Sequence, residues 1–78
     1  MREVLEYLAR SLVDDPDSVQ VTETREDGGR VVVLRLTVAQ DDMGKVIGKG
    51  GRTARAIRKV VQAAATHAGV RAVVRIVD

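Results

Sequence analysis

The stretch Gly44–Ile57, GKVIGKGGRTARAI, decides how the rest of the chain is arranged. It places a glycine-rich, basic turn at residues 48–51 between two segments that we predict to be helical. Gly48, Gly50 and Gly51 let the backbone turn sharply and let another molecule approach it closely. Lysines and arginines flank this bare backbone, and a turn that opens onto a helix N-terminus can hold a phosphate group.

Charge is divided unevenly between the two halves of this 78-residue chain, although its net charge is only +2. Residues 1–42 hold five Lys or Arg and ten Asp or Glu, whereas residues 43–78 hold eight Lys or Arg and one Asp. No acidic side chain lies between Met43 and Val77. This separation indicates one surface that faces a polyanion, and not a protein that is basic all over.

Several kinds of active site are excluded by residues that the chain lacks. It has no Cys, so disulfides and thiolate metal sites are excluded, and the only histidine, His67, has no nucleophilic partner motif. The acidic residues Asp14, Asp15 and Asp17 do not have the spacing of a calcium loop. We therefore predict a protein that is not an enzyme, with no catalytic residue, no metal site and no cofactor.

Two nucleotide-binding motifs come close to the glycine turn but do not match it. A P-loop needs Ser or Thr directly after its Gly-Lys pair, whereas Gly50 follows Lys49 here. A dinucleotide fingerprint that started at Gly48 would need glycine at Thr53, and one short domain has no room for the corresponding fold. A plain helix connection also uses glycine, but three glycines in four positions beside lysine exceed what a connection needs.

The sequence contains no membrane or export signal. No apolar run approaches the roughly 20 residues needed to span a bilayer. The first four residues, MREV, lack the apolar core of a signal peptide. We therefore expect a cytoplasmic protein that does not associate with a membrane.

Apolar periodicity and turn residues divide the chain into six main elements. We predict helices over residues 2–14, from Gln40 to the glycine turn, and over 52–68, and strands over 18–25, 31–38 and 70–77. Asp-Gly-Gly within residues 26–30 indicates a hairpin between the first two strands.

Capping residues define the ends of the predicted helices. Asp41 is the predicted N-cap of the short helix, with Asp42 in its first turn, and Gly69 is the predicted C-terminal cap of the long helix. A strand–helix–helix–strand connection normally returns parallel. The predicted fold is therefore α+β in the order α-β-β-α-α-β, with the helices packed on one face of a three-stranded mixed sheet.

This element order and the glycine turn together resemble KH domains of type II, the mainly prokaryotic form. The signature consists of an apolar pair, Val46 and Ile47, then G-x-x-G at residues 48–51, then apolar residues at helical spacing. The phrase DDMGKVIGKGGR at residues 41–52 is particularly similar to the small bacterial single-KH proteins of the KhpA type. The resemblance covers nearly the whole chain, so we expect residues 1–78 to form a single KH domain.

The KH resemblance implies binding of single-stranded RNA, with about four nucleotides clamped against the loop. Gly48 and Gly51 would shape the loop, and Lys49 and Gly50 would face the phosphates. Ala54 is smaller than the aliphatic residue of many KH domains, so base preference is not carried over. The predicted RNA-binding residues are Lys45, Val46, Ile47, Gly48, Lys49, Gly50, Gly51, Arg52 and Arg55.

The KhpA-type resemblance also implies partners and a biological role. It implies a homodimer, or a heterodimer with a second, larger KH-containing RNA-binding protein. It further implies an RNA chaperone or post-transcriptional regulator connected with cell shape, elongation and division. The competing hypothesis is a protein-interaction module that has a KH fold but binds little or no RNA.

Overall fold

A computed structural model describes residues 1–77 and confirms the predicted α+β fold. Its main elements are α1 (Arg2–Leu12), β1 (Gln20–Glu26), β2 (Val31–Thr37), α2 (Met43–Ile47), α3 (Arg52–His67) and β3 (Arg71–Ile76). Short 3₁₀ turns precede β1, β2, α2 and α3. None of the helices in residues 1–77 has the length and apolar character needed to cross a membrane.

The sheet has the predicted mixed topology, in the order β1-β2-β3. β1 runs antiparallel to β2, with Gln20 opposite Thr37 at one end, and the tight turn Asp27–Gly29 joins them. β3 runs parallel to β2, with Val31 opposite Arg71. This return requires α2 and α3 to cross over between the two parallel strands, so both parallel strands point toward the end of the sheet where α2 begins.

Helix α1 is shorter than predicted because its C-terminal end has a distant partner. It was expected to reach residue 14 but ends at Leu12, and Val13 is already extended with φ −97° and ψ 160°. The backbone N–H groups of Asp14 and Asp15 then donate to the carboxylate of Asp42, at 3.3 Å and 3.1 Å. These N–H groups are thus used in a tertiary contact.

The long helix α3 ends at the predicted glycine. Gly69 has φ +78° and its N–H donates to the carbonyl of Thr66, while the N–H of Val70 donates to the carbonyl of Ala65. This pair of bonds is the Schellman arrangement, which needs a left-handed residue directly after the helix cap. The helix therefore turns abruptly into β3.

The core is entirely aliphatic and lies between the helices and one face of the sheet. α1 packs on β1, and α3 packs on β3 and on α1. The largest fully buried side chains are Leu5, Leu34, Leu36, Val32, Val46 and Val61. No helix covers the opposite face of the sheet, which we call the open face; it carries Thr24, Val33, Arg35, Val73 and Arg75. Val33 lies on this uncovered side, yet it is only 3% exposed.

Candidate nucleic-acid interface

The loop at residues 48–51 is a left-handed turn that only glycine fits well. Gly48, Gly50 and Gly51 have φ values of +74°, +66° and +77°, a region in which a Cβ is strained. At Gly48 space is also lacking, because a Cβ there would lie 2.8 Å from Cβ of Thr53. At Gly50 a Cβ would meet nothing within 4 Å, so that position is open to solvent and to a ligand.

The loop closes on itself through backbone hydrogen bonds and leads directly into α3. The N–H of Gly48 donates to the carbonyl of Gly44 at 2.9 Å, and the N–H of Gly51 donates to the carbonyl of Gly48 at 3.1 Å. No side chain caps the N-terminus of α3, which begins at Arg52. The first turn of a helix carries unpaired N–H groups and a partial positive charge. The loop therefore presents bare backbone next to a site that favours an anion.

The predicted cations divide into free and paired side chains. Lys49, Arg52 and Arg55 are exposed and form no ion pair within residues 1–77. Arg55 lies beside the loop, since its Nη1 would be 3.5 Å from a Cβ added at Gly51. These three side chains give the loop an uncompensated positive charge.

Lys45 differs from the other predicted cations because two carboxylates hold its ammonium group. Its Nζ lies 3.2 Å from Oδ2 of Asp14 and 3.3 Å from Oδ1 of Asp42. The hydrogen bonds to Asp14 and then Asp42 raise the pKa of Lys45 above its ordinary value. Lys45 therefore connects α2 to the end of α1, and its charge is already compensated.

The structure corrects the predicted capping of the short helix. Asp41 was expected to be the N-cap, but α2 begins at Met43 and Asp42 takes the N-cap position without capping it through its side chain. The carboxylate of Asp42 is 2% exposed and instead accepts the N–H groups of Asp14 and Asp15. Burial raises the pKa of Asp42, but those N–H groups and Lys45 outweigh burial and leave the pKa below its ordinary value.

The predicted apolar residues of the site have different positions. Val46 is fully buried in the core, whereas Ile47 is 39% exposed next to the loop. Ala54 and Ile57 are 4% and 3% exposed and belong to the interior side of α3. Of these four residues, Ile47 therefore presents the most apolar surface to a molecule that lies across the loop.

A shallow groove of about 360 Å³ lies between α3 and the free edge of β3, and the sequence pattern did not predict it. Nε of Arg58 donates to the carbonyl of Val74 at 3.2 Å, and the N–H of Ala72 donates to Oε1 of Gln62 at 3.1 Å. Two side chains one helical turn apart thus bind backbone groups two residues apart on an edge strand. The i, i+4 spacing is visible in the sequence, but the edge position of β3 is not.

The groove and the loop lie along one line on α3. Gly51, Arg55, Arg58 and Gln62 follow each other at intervals of three or four residues, so they share one side of the helix. The distance from residue 51 to residue 62 is roughly 16 Å at 1.5 Å per residue. An elongated ligand can therefore contact the loop at one end and the β3 edge at the other.

Comparisons with known proteins agree on one family. The family model described as KhpA/KhpB, KH domain, matches residues 2–76. The chain is 53% identical over 77 residues to the RNA-binding protein KhpA of Clostridium acetobutylicum, covering 99% of this chain and all of that protein. It is 50% identical over 78 residues to the RNA-binding protein KhpA of Halalkalibacterium halodurans, covering all of both chains.

The fold also matches a solved structure at low sequence identity. That structure is Era in complex with MgGDPNP and nucleotides 1506–1542 of 16S ribosomal RNA, with a TM-score of 0.66 and 19% identity. The match covers 96% of this chain and 28% of the Era chain, so the likeness concerns the fold of one portion of Era. With the matching family model, the full-length relatives and the G-x-x-G loop in its expected place, the chain belongs to the KhpA/KhpB family of KH domains.

Proposed function

We propose that this chain is a single KH domain that binds single-stranded RNA and catalyses no reaction. The observation that carries the proposal is the glycine loop at residues 48–51, which joins open backbone to three unpaired cations, Lys49, Arg52 and Arg55. Curated relatives at 53% and 50% identity are named RNA-binding proteins. Phosphates lie against the loop backbone and Lys49, and bases follow the α3–β3 groove; KH domains clamp about four nucleotides against such a loop.

The contributions of the nine predicted residues differ in this proposal. Lys49 and the three loop glycines hold the phosphate backbone, and Arg52 and Arg55 attract it. Ile47 packs against a base or sugar. Val46 supports the loop from the core, and Lys45 acts mainly on the position of α2, because Asp14 and Asp42 occupy its ammonium group.

Replacement of Lys49 and Gly50 by Asp tests this function. The K49D/G50D variant places two negative charges against the phosphates, and a Cβ added at Gly50 meets no atom within 4 Å. The matched control is G28D/R30D, because Gly28 also has φ near +65° and open space around it. The control makes the same change in charge at the far end of α3, roughly 24 Å away.

Fluorescence anisotropy with a five-nucleotide RNA gives the measurement. We expect K49D/G50D to lose at least tenfold in affinity, whereas G28D/R30D changes little because exposed charges a Debye length or more away are screened. Circular dichroism must show that both variants remain folded. Equal affinity of K49D/G50D and the control would support the protein-interaction module instead.

We further propose that the chain acts as a homodimer through an apolar groove between α1 and α3. Within residues 1–77, three of the four large exposed hydrophobic residues, Tyr7, Leu12 and Val60, lie on this groove, and no charged residue lines it. Apolar surface with few charges is typical of homodimer interfaces, and one such patch can pair with its own copy around a two-fold axis. Two linked RNA sites would raise the affinity for long RNA without new contacts in each domain.

The molar mass of wild type and of a Val60→Glu variant, measured by light scattering, tests the dimer. We expect a dimer that V60E converts to a folded monomer. A wild-type monomer that binds a second, larger KH protein through the same groove would favour the heterodimer. The proposed role is that of a cytoplasmic RNA chaperone or post-transcriptional regulator that affects cell shape and division.

A further inference from the structure

The open face of the sheet carries a row of exposed arginines. Arg35 on β2 and Arg75 on β3 are direct cross-strand neighbours, and Arg71 lies on the same face of β3. Neighbouring strands are about 4.8 Å apart, so two guanidinium groups start from adjacent backbone positions. Arg35 and Arg75 lie on the side of the sheet that faces away from the core, whereas Arg71 also lines the groove between α3 and β3.

These arginines have no acidic partner within the described part of the chain. None of the ion pairs in residues 1–77 includes Arg35, Arg71 or Arg75. Glu26 is the acidic residue on the same face of the three strands, and it lies opposite Val31, at the other end of β2 from Arg35. Like charges directly opposite each other destabilise a sheet. The arrangement therefore favours binding of an external anion.

Apolar surface lies beside the arginines. Val33 and Val73 are cross-strand neighbours on the same face, with Thr24 opposite Val33 on the other side. Val33 is 3% exposed although no helix within residues 1–77 lies above it. Neighbouring side chains must therefore cover it, and the aliphatic stems of long cationic residues can do so. The face thus combines guanidinium groups with the half-buried Val73, while Val33 presents almost no surface.

We propose that the open face is a second RNA-binding surface, which holds a different segment of single-stranded RNA from the segment at the loop. Guanidinium groups bind phosphates in bidentate fashion, and their planes stack on unpaired bases. Stacking on arginine suits a chain whose only aromatic residue is Tyr7. This inference rests on the proposed function, since it concerns the same class of ligand.

RNA fits this face better than a protein partner does. The large exposed hydrophobic residues Tyr7, Leu12, Ile47 and Val60 all lie outside the three strands, so the face offers no apolar anchor. The centres of protein interfaces are poor in charged residues, whereas RNA contacts use them. The two surfaces meet at the β3 edge, where Arg71 and Val73 also line the α3–β3 groove, and the domain is only 18–21 Å thick in its shorter dimensions, so two RNA segments would be held close together.

The R35Q/R75Q variant tests the proposal, with R2Q/R10Q as the matched control. Both variants remove two positive charges, but Arg2 and Arg10 lie on α1, where both pair with Glu6. Affinity for a five-nucleotide and a twenty-nucleotide RNA is measured over a range of salt concentrations. Only the longer RNA greatly exceeds the roughly four nucleotides that the loop contacts.

We expect R35Q/R75Q to bind the twenty-nucleotide RNA about tenfold more weakly at low salt, with a salt slope smaller by about 1.4 for two lost phosphate contacts. Its affinity for the five-nucleotide RNA stays within about twofold of wild type, as do both affinities of R2Q/R10Q. The melting temperature of R35Q/R75Q stays close to that of wild type, because removal of the like-charge pair offsets the loss of cover from the shorter side chains.

The proposal is overturned if R35Q/R75Q and R2Q/R10Q bind the twenty-nucleotide RNA with the same affinity and the same salt slope. An R35K/R75K variant keeps the charge and is expected to keep the salt slope. If the salt slope of R35K/R75K is reduced as much as that of R35Q/R75Q, the effect comes from a change in the fold and the proposal is also wrong. Failure of the proposed loop function gives a different result: K49D/G50D would then bind the five-nucleotide RNA as tightly as its control G28D/R30D.

Discussion

Substitution of Gly48 by Ala is the sharpest test of the loop geometry. Gly48 combines φ +74° with ψ 169°, a region of backbone space that is populated almost only by glycine. The added Cβ would also lie 2.8 Å from Cβ of Thr53 and 2.9 Å from its backbone nitrogen. The variant therefore has both a strained backbone and a clash with the first turn of α3.

The loss of folding stability expected for G48A can be compared with the loss at two other glycines, which have the positive φ but no steric clash. The backbone strain is worth about 1–3 kcal/mol, and overpacking adds about 1–3 kcal/mol, which predicts a loss of about 2–6 kcal/mol for G48A. Gly50 and Gly28 have ordinary left-handed conformations with open space around them, so their Ala variants should lose about 1–2 kcal/mol. A domain of this size has a total stability of roughly 4–12 kcal/mol.

Thermal and denaturant unfolding, followed by circular dichroism, measure these differences. The central values of the two ranges differ by about 2.5 kcal/mol. About 4–8 °C per kcal/mol is expected for a small domain, so G48A should melt about 10–20 °C below G50A and G28A. A Thr53→Ala change in the G48A background should recover part of the loss, because it removes the side-chain oxygen that the new Cβ would meet first. Equal melting temperatures for G48A and G50A would refute the steric argument.

Three further predictions concern side chains whose partners the structure identifies. The pKa of Asp42 is lowered in the folded state, so its ionised carboxylate stabilises the fold at pH values above the ordinary carboxylate pKa of about 3.9. This contribution to stability is lost as the pH falls from that value through the lowered pKa of the folded state. Thermal melts should therefore show D42N less stable than wild type at pH 7, with a smaller difference at pH 3; an equal difference at both pH values would contradict the assignment. Q62A should speed hydrogen exchange of the Ala72 amide about fivefold through loss of a bond worth about 1 kcal/mol, and unchanged exchange measured by NMR would show that this bond does not protect the edge. In RNA titrations K49Q should reduce the salt slope by about 0.7 and K45Q by clearly less, because carboxylates already compensate Lys45; equal effects would mean that Lys45 leaves its partners to bind RNA.

The elements that local chemistry controls were predicted closely. The long helix was expected over residues 52–68 and spans Arg52–His67, because a left-handed glycine bounds it on each side. The two hairpin strands lie within one or two residues of their predicted limits, since alternating side chains and the turn at Asp27–Gly29 are local signals. The prediction of a parallel third strand followed from the length of the crossover.

Contacts between residues far apart in the sequence were not predictable from the same patterns. Asp42 was expected in the first turn of the short helix, but its carboxylate accepts hydrogen bonds from N–H groups 27 and 28 residues earlier. Lys45 reads as a free cation of the loop, but the same packing of α1 on α2 places it between two carboxylates. Arg58 and Gln62 of α3 bind the edge of β3 across 16 and 10 residues, which the helical spacing alone does not indicate.

The conformation of the Gly48–Gly51 loop and the order of the elements are therefore specified by the chain itself, because glycine dihedral freedom and side-chain periodicity act over a few residues. Tertiary packing decides which cations remain free, which side chains cover the β3 edge, and that Arg35 and Arg75 meet on one open face. The physical reason is that charge compensation and cross-strand contact depend on distances in space. Those distances exist only after the sheet has formed and the helices have packed on it.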